Sequence, residues 1–129
     1  MDTNNARYFA AIAVLLAGAG TTGAGAQPYP VKPIRAIIPA APGSNNDIFF
    51  RTVAPSMGAS LGQQLIADYR PGGGGLVGAA LTVKSPPDGY TIGMVASGFV
   101  MHPSMVKNLP YVATRDFTPL GLIVDVPTA

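Results

Sequence analysis

The chain has 129 residues, a formal net charge of +2, no Cys and a single His. That length allows one small domain, the missing Cys excludes disulfides and thiolate chemistry, and the lone His102 disfavours metal clusters and acid–base triads. After residue 26 the basic residues Lys32, Arg35, Arg51, Arg70, Lys84, Lys107 and Arg115 are scattered without a run or stripe, so no nucleic-acid partner is expected, nor any cofactor or metal.

Residues 1–26 read as a secretory signal peptide. Asp2 and Arg7 lie in a short polar n-region, and Tyr8 to Ala19 is almost uninterrupted Ala, Ile, Val and Leu. That apolar run is about 12 residues, short of the roughly 20 that a spanning helix needs. Ala24-Gly25-Ala26 supplies an A-x-A-like cleavage site before Gln27. An uncleaved anchor is the alternative. Cleavage after Ala26 predicts a secreted product of about 103 residues with a thin core.

The mature part opens on Pro28, Pro30 and Pro33, an extended lead-in. Ile34 to Ile38 then reads as a buried strand ended by Pro39. A Pro/Gly/Ser/Asn loop leads to a helix over Asp47–Leu61, capped by Asn46 or Asp47. Ile48, Phe49, Val53, Met57 and Leu61 recur at helical spacing and predict its buried face. Pro55 predicts a kink or two short pieces. Gly62 ends this helix, and Gln64–Asp68 reads as a second strand. Arg70-Pro-Gly-Gly-Gly-Gly75 forms a loop free to take positive φ at four successive glycines. A helix over Leu76–Val83, a turn at Ser85–Gly89 and a strand over Tyr90–Val95 follow. Phe99–Lys107 predicts a helix broken at His102-Pro103, and Leu120–Val124 a fourth strand.

The order β-α-β-α-β-(α)-β argues for an α/β fold with a parallel-rich sheet flanked by helices. Ligands bind beyond the carboxyl ends of strands in such sheets. Three loops are predicted there: Pro39–Asp47, Arg70–Gly75 and Ala96–Gly98. The free N–H groups at a helix start hold an anion without a basic side chain. In the first loop, backbone N–H groups with Ser44, Asn45 and Asn46 suit a carboxylate; ordinary capping explains the same residues. Asp47 reads as a cap or as a partner for an ammonium group. Gly73 to Gly78 matches G-x-G-x-x-G, but the third strand ends Met94-Val95-Ala96-Ser97 with no acid for a ribose, which disfavours a dinucleotide. An anion site or a purely steric tight turn are the other readings of these glycines. Ser97 lacks a G-x-S-x-G context, so it serves better as a hydroxyl donor than as a nucleophile. His102 reads as a packing or surface residue, Tyr90 and Tyr111 as core or rim. Arg70 either pairs with an acid or points into the site.

Taken together, Tyr29-Pro-Val-Lys-Pro-Ile-Arg35, Ile38-Pro-Ala-Ala-Pro-Gly43 through Asp47, Leu61-Gly-Gln63, Arg70-Pro-Gly with Gly74-Gly75 and Gly78, Pro87-Asp-Gly-Tyr-Thr91, Asn108-Leu-Pro-Tyr111 and Asp116-Phe117 resemble the Bug-type receptors of tripartite tricarboxylate transporters. These are periplasmic solute-binding proteins, and the resemblance covers nearly all of the chain after residue 26. It implies a type II periplasmic-binding-protein-like lobe. It also implies a small carboxylate ligand (a dicarboxylate, tricarboxylate, acidic amino acid or aromatic acid) and transporter membrane subunits as partners. Ala40, Ala41, Pro42, Gly43, Ser44 and Asp47 of the first loop, Gly74 and Gly75 of the second, and Ser97 would line the cleft. The family's first loop holds carboxylate partly through ordered water.

The departures are specific. Ser44 stands where a second Gly is common, Ala40 where a bulkier residue is frequent, Tyr69 where Asn is frequent, and Pro55 inside a normally helical stretch. Family members are much longer, so residues 27–129 are expected to be the N-terminal part of the first lobe of a truncated receptor. No enzymatic activity is expected. The alternative is a secreted α/β hydrolase fragment using Ser97.

Overall fold

A computed structural model describes residues 28–125; the proposed leader and its cleavage site lie outside the described residues. Strand β1 (Ile34–Ile38) is followed by helix α1 (Asn45–Leu61), strand β2 (Leu65–Tyr69), a single 3-10 turn (Gly73–Gly75) and helix α2 (Leu76–Lys84). Strand β3 (Thr91–Gly93) and helix α3 (Gly98–Met105) complete the elements. The sheet has the order β2-β1-β3, and both pairings are parallel. The α/β architecture expected from the sequence, a parallel sheet flanked by helices, is therefore present.

β1 is central because it is apolar on both faces. Ile34, Ala36, Ile37 and Ile38 are all buried, as an inner strand of a parallel sheet requires. On one face Ala36 and Ile38 pack with Phe50 of α1, and Ala54, Leu65, Ala67 and Tyr69 close around them. On the other face Ile37 meets α2 at Gly78, where an added Cβ would stand 3.5 Å from the Ile37 methyl. The ends of the elements are set by local chemistry. Pro39 stops β1, and Gly62 closes α1 in a left-handed conformation (φ 66°) with its N–H on the Gly58 carbonyl.

Four expectations need correction. α1 begins at Asn45, its cap is Ser44 rather than Asn46 or Asp47, and it runs unbroken through Pro55. The helix also faces the sheet differently. Asp47, Phe50 and Ala54 turn inward, whereas Ile48 is 54% exposed and Met57 lies at the surface. The predicted stripe is thus displaced by one residue, about 100° of helix rotation. Asp47 is the cause, because its carboxylate is drawn to donors beneath the helix. α3 likewise continues through His102-Pro103.

The third and fourth strands are the other corrections. β3 keeps only Thr91–Gly93 of the predicted Tyr90–Val95. Its ladder ends with Met94 N–H on the Ile37 carbonyl, because β1 then gives way to Pro39. Leu120–Val124 forms no strand. Leu120 and Leu122 are 78% and 81% exposed. An apolar run becomes a strand only beside an edge whose donors and acceptors it can match, and β3 presents three residues. Among the described residues no helix is long and apolar enough to cross a membrane.

Outside the sheet, two aromatic clusters tie down the connections. Tyr29 donates its hydroxyl to the Gly89 carbonyl (2.7 Å), and Val31 N–H donates to the Tyr90 hydroxyl (3.0 Å), strapping the lead-in beside β3. Phe99, Tyr111 and Phe117 pack with centroids 5.0 to 5.4 Å apart, fixing α3 to the 108–117 segment.

Candidate functional site

Because all three strands are parallel, their carboxyl ends lie at one edge of the sheet, and the three predicted loops meet there. An added Cβ at Gly78 would stand 3.0 Å from Cβ of Pro39, and one at Gly75 would stand 3.5 Å from the same atom. Gly98 comes closer still to the second loop, since its Cβ would stand 2.6 Å from the Gly74 carbonyl oxygen. The backbones of Pro39, Gly74–Gly78 and Gly98 therefore touch, and Ser97 sits beside the glycine loop.

The first loop is built around Asp47. A turn closes with Ser44 N–H on the Ala41 carbonyl, and Gly43 takes φ 82°. Ser44, with an ordinary φ of −73°, caps α1 by accepting the Asp47 N–H at 3.4 Å. Asp47 answers as the acid of a capping box, but its Oδ2 accepts the Gly43 N–H (2.8 Å), one residue outside the cap. Its Oδ1 accepts the Tyr69 hydroxyl (2.7 Å) and Arg51 Nε (2.8 Å), and Arg51 Nη2 donates to the Tyr69 oxygen (3.1 Å). Asp47 is 2% exposed. The Gly43 N–H, then the Tyr69 hydroxyl and Arg51, hold its carboxyl at about 2 against the opposing effect of burial. The Asp47 bond and burial raise the Tyr69 phenol. The ammonium-binding reading of Asp47 is not favoured, because its oxygens are occupied from within.

With Ser44 Oγ on the Asp47 N–H and the Ser44 carbonyl on the Ile48 N–H, the N–H groups of Asn45 and Asn46 have no acceptor among the described residues. These are the first two donors of a 17-residue helix. Ala41, Pro42 and Gly43 are exposed around them, Ser44 is half-buried, and Ala40 turns toward the core.

The glycine loop is different. Gly72, Gly73, Gly74 and Gly75 all have positive φ, as expected. However, the N–H groups of Gly75 and Val77 return to the Gly72 carbonyl, and that of Leu76 to Gly73. Three donors at the start of α2 are thus turned back onto the glycine loop, which favours the steric reading of Gly74 and Gly75 over the anion-site reading. Arg70 resolves as the partner of Asp68 (Nε to Oδ1, 2.7 Å), which Arg35 also grips.

Ser97 is exposed and makes no capping bond. His102 is buried with its Nδ1 2.7 Å from the Tyr111 hydroxyl, and its other edge faces Gly74 and Gly98. It is a packing residue, and burial raises the Tyr111 phenol. An apolar concavity of about 390 Å³ lies here, lined by Gly73, Gly74, Gly98, Met101, His102 and Met105. A larger groove of about 720 Å³ runs along Phe50, Ala54, Gly58 and Leu65, away from the strand-end loops. Among the described residues no three His, Cys, Asp or Glu side chains stand together as a metal site needs. The sequence reading missed Tyr69 and Arg51 as members of the first loop's network. Arg51 is recoverable as an i,i+4 partner of Asp47; Tyr69 is 22 residues away and becomes its neighbour only through the β1–β2 ladder.

A family model for the tripartite tricarboxylate transporter family receptor matches residues 49–129. BugT of Bordetella pertussis is 35% identical over 127 residues, covering 96% of this chain and 39% of BugT. A UPF0065 protein of Bordetella bronchiseptica is 39% identical over 119 residues, covering 92% of this chain and 36% of that protein. Among solved structures, the periplasmic binding protein BugD aligns with TM-score 0.63 at 34% identity, over 65% of this chain and 28% of BugD. An R. palustris protein with adipate aligns with TM-score 0.62 at 25% identity, over 67% of this chain and 29% of that one. The chain spans well under half the length of these relatives. They are solute receptors and not enzymes, so the hydrolase reading of Ser97 falls. A parallel sheet whose strand-end loops meet at one edge, a family match over residues 49–129 and periplasmic binding proteins as structural neighbours together establish that the chain belongs to the receptor family of tripartite tricarboxylate transporters.

Proposed function

We propose that residues 27–129 form the N-terminal part of the first lobe of a periplasmic receptor that binds a small carboxylate for the membrane subunits of a tripartite tricarboxylate transporter. The observation that carries this reading is the start of α1. Two N–H donors, those of Asn45 and Asn46, lie open at the positive end of a long helix, with the nearby Asp47 charge turned inward onto its own donors. Aligned peptide dipoles and unsatisfied N–H groups favour an anion there. A neighbour solved with adipate supports a carboxylate as the ligand class. Pro42, Gly43 and Ser44 would shape this wall of the cleft, and Gly74, Gly75 and Ser97 would let the second and third loops approach it. Residues 1–26 would direct export and be removed.

A site that holds a small molecule tightly buries most of its surface. In relatives of more than twice this length the opposite wall would come from sequence that this chain does not match. Weak binding by this chain alone is therefore expected. Amide shift mapping by NMR with adipate, citrate, glutamate and benzoate tests the reading. Saturable shifts at Asn45 and Asn46 are expected for at least one acid. No saturable response to any of them, or shifts confined to the Phe50–Leu65 groove, would overturn it. Tight calorimetric binding by the chain alone would sink the assignment to one lobe of two.

A further inference from the structure

We propose that Tyr69, through a closed triangle with Asp47 and Arg51, is the residue that makes the first loop fit to receive an anion, by holding Asp47 onto the Gly43 N–H and away from the donors of Asn45 and Asn46. The inference rests on the carboxylate reading above and adds a positioning residue to it.

The argument starts from a conflict. A carboxylate three residues into a helix sits beside the very donors that would bind an anionic ligand. Left free, Asp47 would repel that ligand and compete for the Asn45 and Asn46 N–H groups. The structure weakens both effects. Oδ1 is held by two donors, the Tyr69 hydroxyl at 2.7 Å and Arg51 Nε at 2.8 Å. Oδ2 is thereby aimed at Gly43 N–H, 2.8 Å away. The Tyr69 oxygen in turn accepts Arg51 Nη2 at 3.1 Å, so each of the three side chains fixes the other two.

Tyr69 is the rigid corner of this triangle. It is the last residue of β2 and pairs with Ile38, the last residue of β1, immediately before the loop begins. Arg70 N–H on the Ile38 carbonyl (2.8 Å) pins the two strand ends together. Tyr69 also packs against the core formed by Ala36, Ile38 and Phe50. Arg51, by contrast, is largely exposed. The charged group facing the Asp47 carboxylate is thus Arg51 from α1, with the neutral Tyr69 phenol from β2 and the Gly43 N–H from the loop as further donors.

The test is Tyr69→Phe, which keeps the ring and removes the hydroxyl. Four readouts are taken: thermal unfolding, Gly43 amide exchange, the Asp47 carboxyl titration by carbon NMR, and adipate-induced shifts at Asn45 and Asn46. Unfolding near that of the unsubstituted chain is expected, with Gly43 exchange faster, the Asp47 midpoint raised, and adipate binding weaker. Each rate or affinity change should be roughly 2- to 10-fold, the span set by the net strength of one hydrogen bond. A folded variant with unchanged Gly43 exchange and Asp47 titration would overturn the positioning role. Changed loop readouts with unchanged adipate response would overturn its part in binding and leave the carboxylate reading standing. No response to adipate, citrate, glutamate or benzoate in the unsubstituted chain would overturn the carboxylate reading and this inference with it, before any substitution is made. If Tyr69→Phe fails to fold, Arg51→Gln opens the triangle from its exposed corner and is scored by the same readouts.

Discussion

Two helices begin at the same edge of the sheet and are built in opposite ways. α1 starts on side chains: Ser44 caps it, and Asp47, Tyr69 and Arg51 lock the loop ahead of it, leaving two N–H groups open. α2 starts on bare backbone: four glycines in left-handed or related conformations fold the first N–H groups back onto Gly72 and Gly73. The difference is that α1 leaves its first two donors open behind a side-chain lock, whereas α2 turns three of its starting donors back onto the glycine loop. The glycines of the second loop contribute closeness instead. They let Pro39 and Gly98 come within reach, and so bring the three loops together.

The comparison can be broken most severely on the glycine side. Gly98→Ala places a Cβ 2.6 Å from the Gly74 carbonyl oxygen, and Gly78→Val crowds Pro39 at 3.0 Å. Each should cost about 1–3 kcal/mol by overpacking, read from urea unfolding. An equally stable Gly98→Ala variant would show that the close approach is dispensable.

The side-chain start answers to pH. The folded Asp47 carboxyl lies at about 2, below the roughly 3.9 of an unfolded Asp. Its stabilising effect is therefore complete above about pH 4 and drains away as pH falls toward 2. Unfolding curves across that range should show this loss, and Asp47→Asn should flatten it while lowering stability at neutral pH. An unaltered acid limb in Asp47→Asn would place the pH response elsewhere.

Smaller effects sharpen the same contrast. Ser44→Ala removes the α1 cap, but a 3.4 Å bond puts the loss near the low end, about 0.5 kcal/mol, by thermal unfolding. Ser97→Ala, at an exposed position without a capping bond, should change stability by less than about 0.5 kcal/mol.

Much of the chain was legible because its punctuation is local. Pro39, Gly62 and the Gly72–Gly75 run act on their own backbone, so β1, the end of α1 and the four positive φ values could be read directly from residue type. The family blocks were legible for the same reason, as an ordered set of short patterns. What could not be read depended on distant neighbours. The inward face of α1 was misjudged because Ile48 and Met57 are more apolar than Asp47 and Ala54, yet the carboxylate has the Gly43, Tyr69 and Arg51 donors to meet and the isoleucine does not. Leu120–Val124 has strand composition but no edge to join.

The sequence by itself determined a central apolar strand, the alternation of strands and helices, the glycine loop and the family, because each follows from residue type over a few positions. Only the tertiary structure decided that the Ser44 loop is locked by side chains with the Asn45 and Asn46 donors left open. That outcome needs Tyr69 beside Asp47, and the two residues meet only because parallel pairing of β1 with β2 brings the end of one strand level with the end of the other.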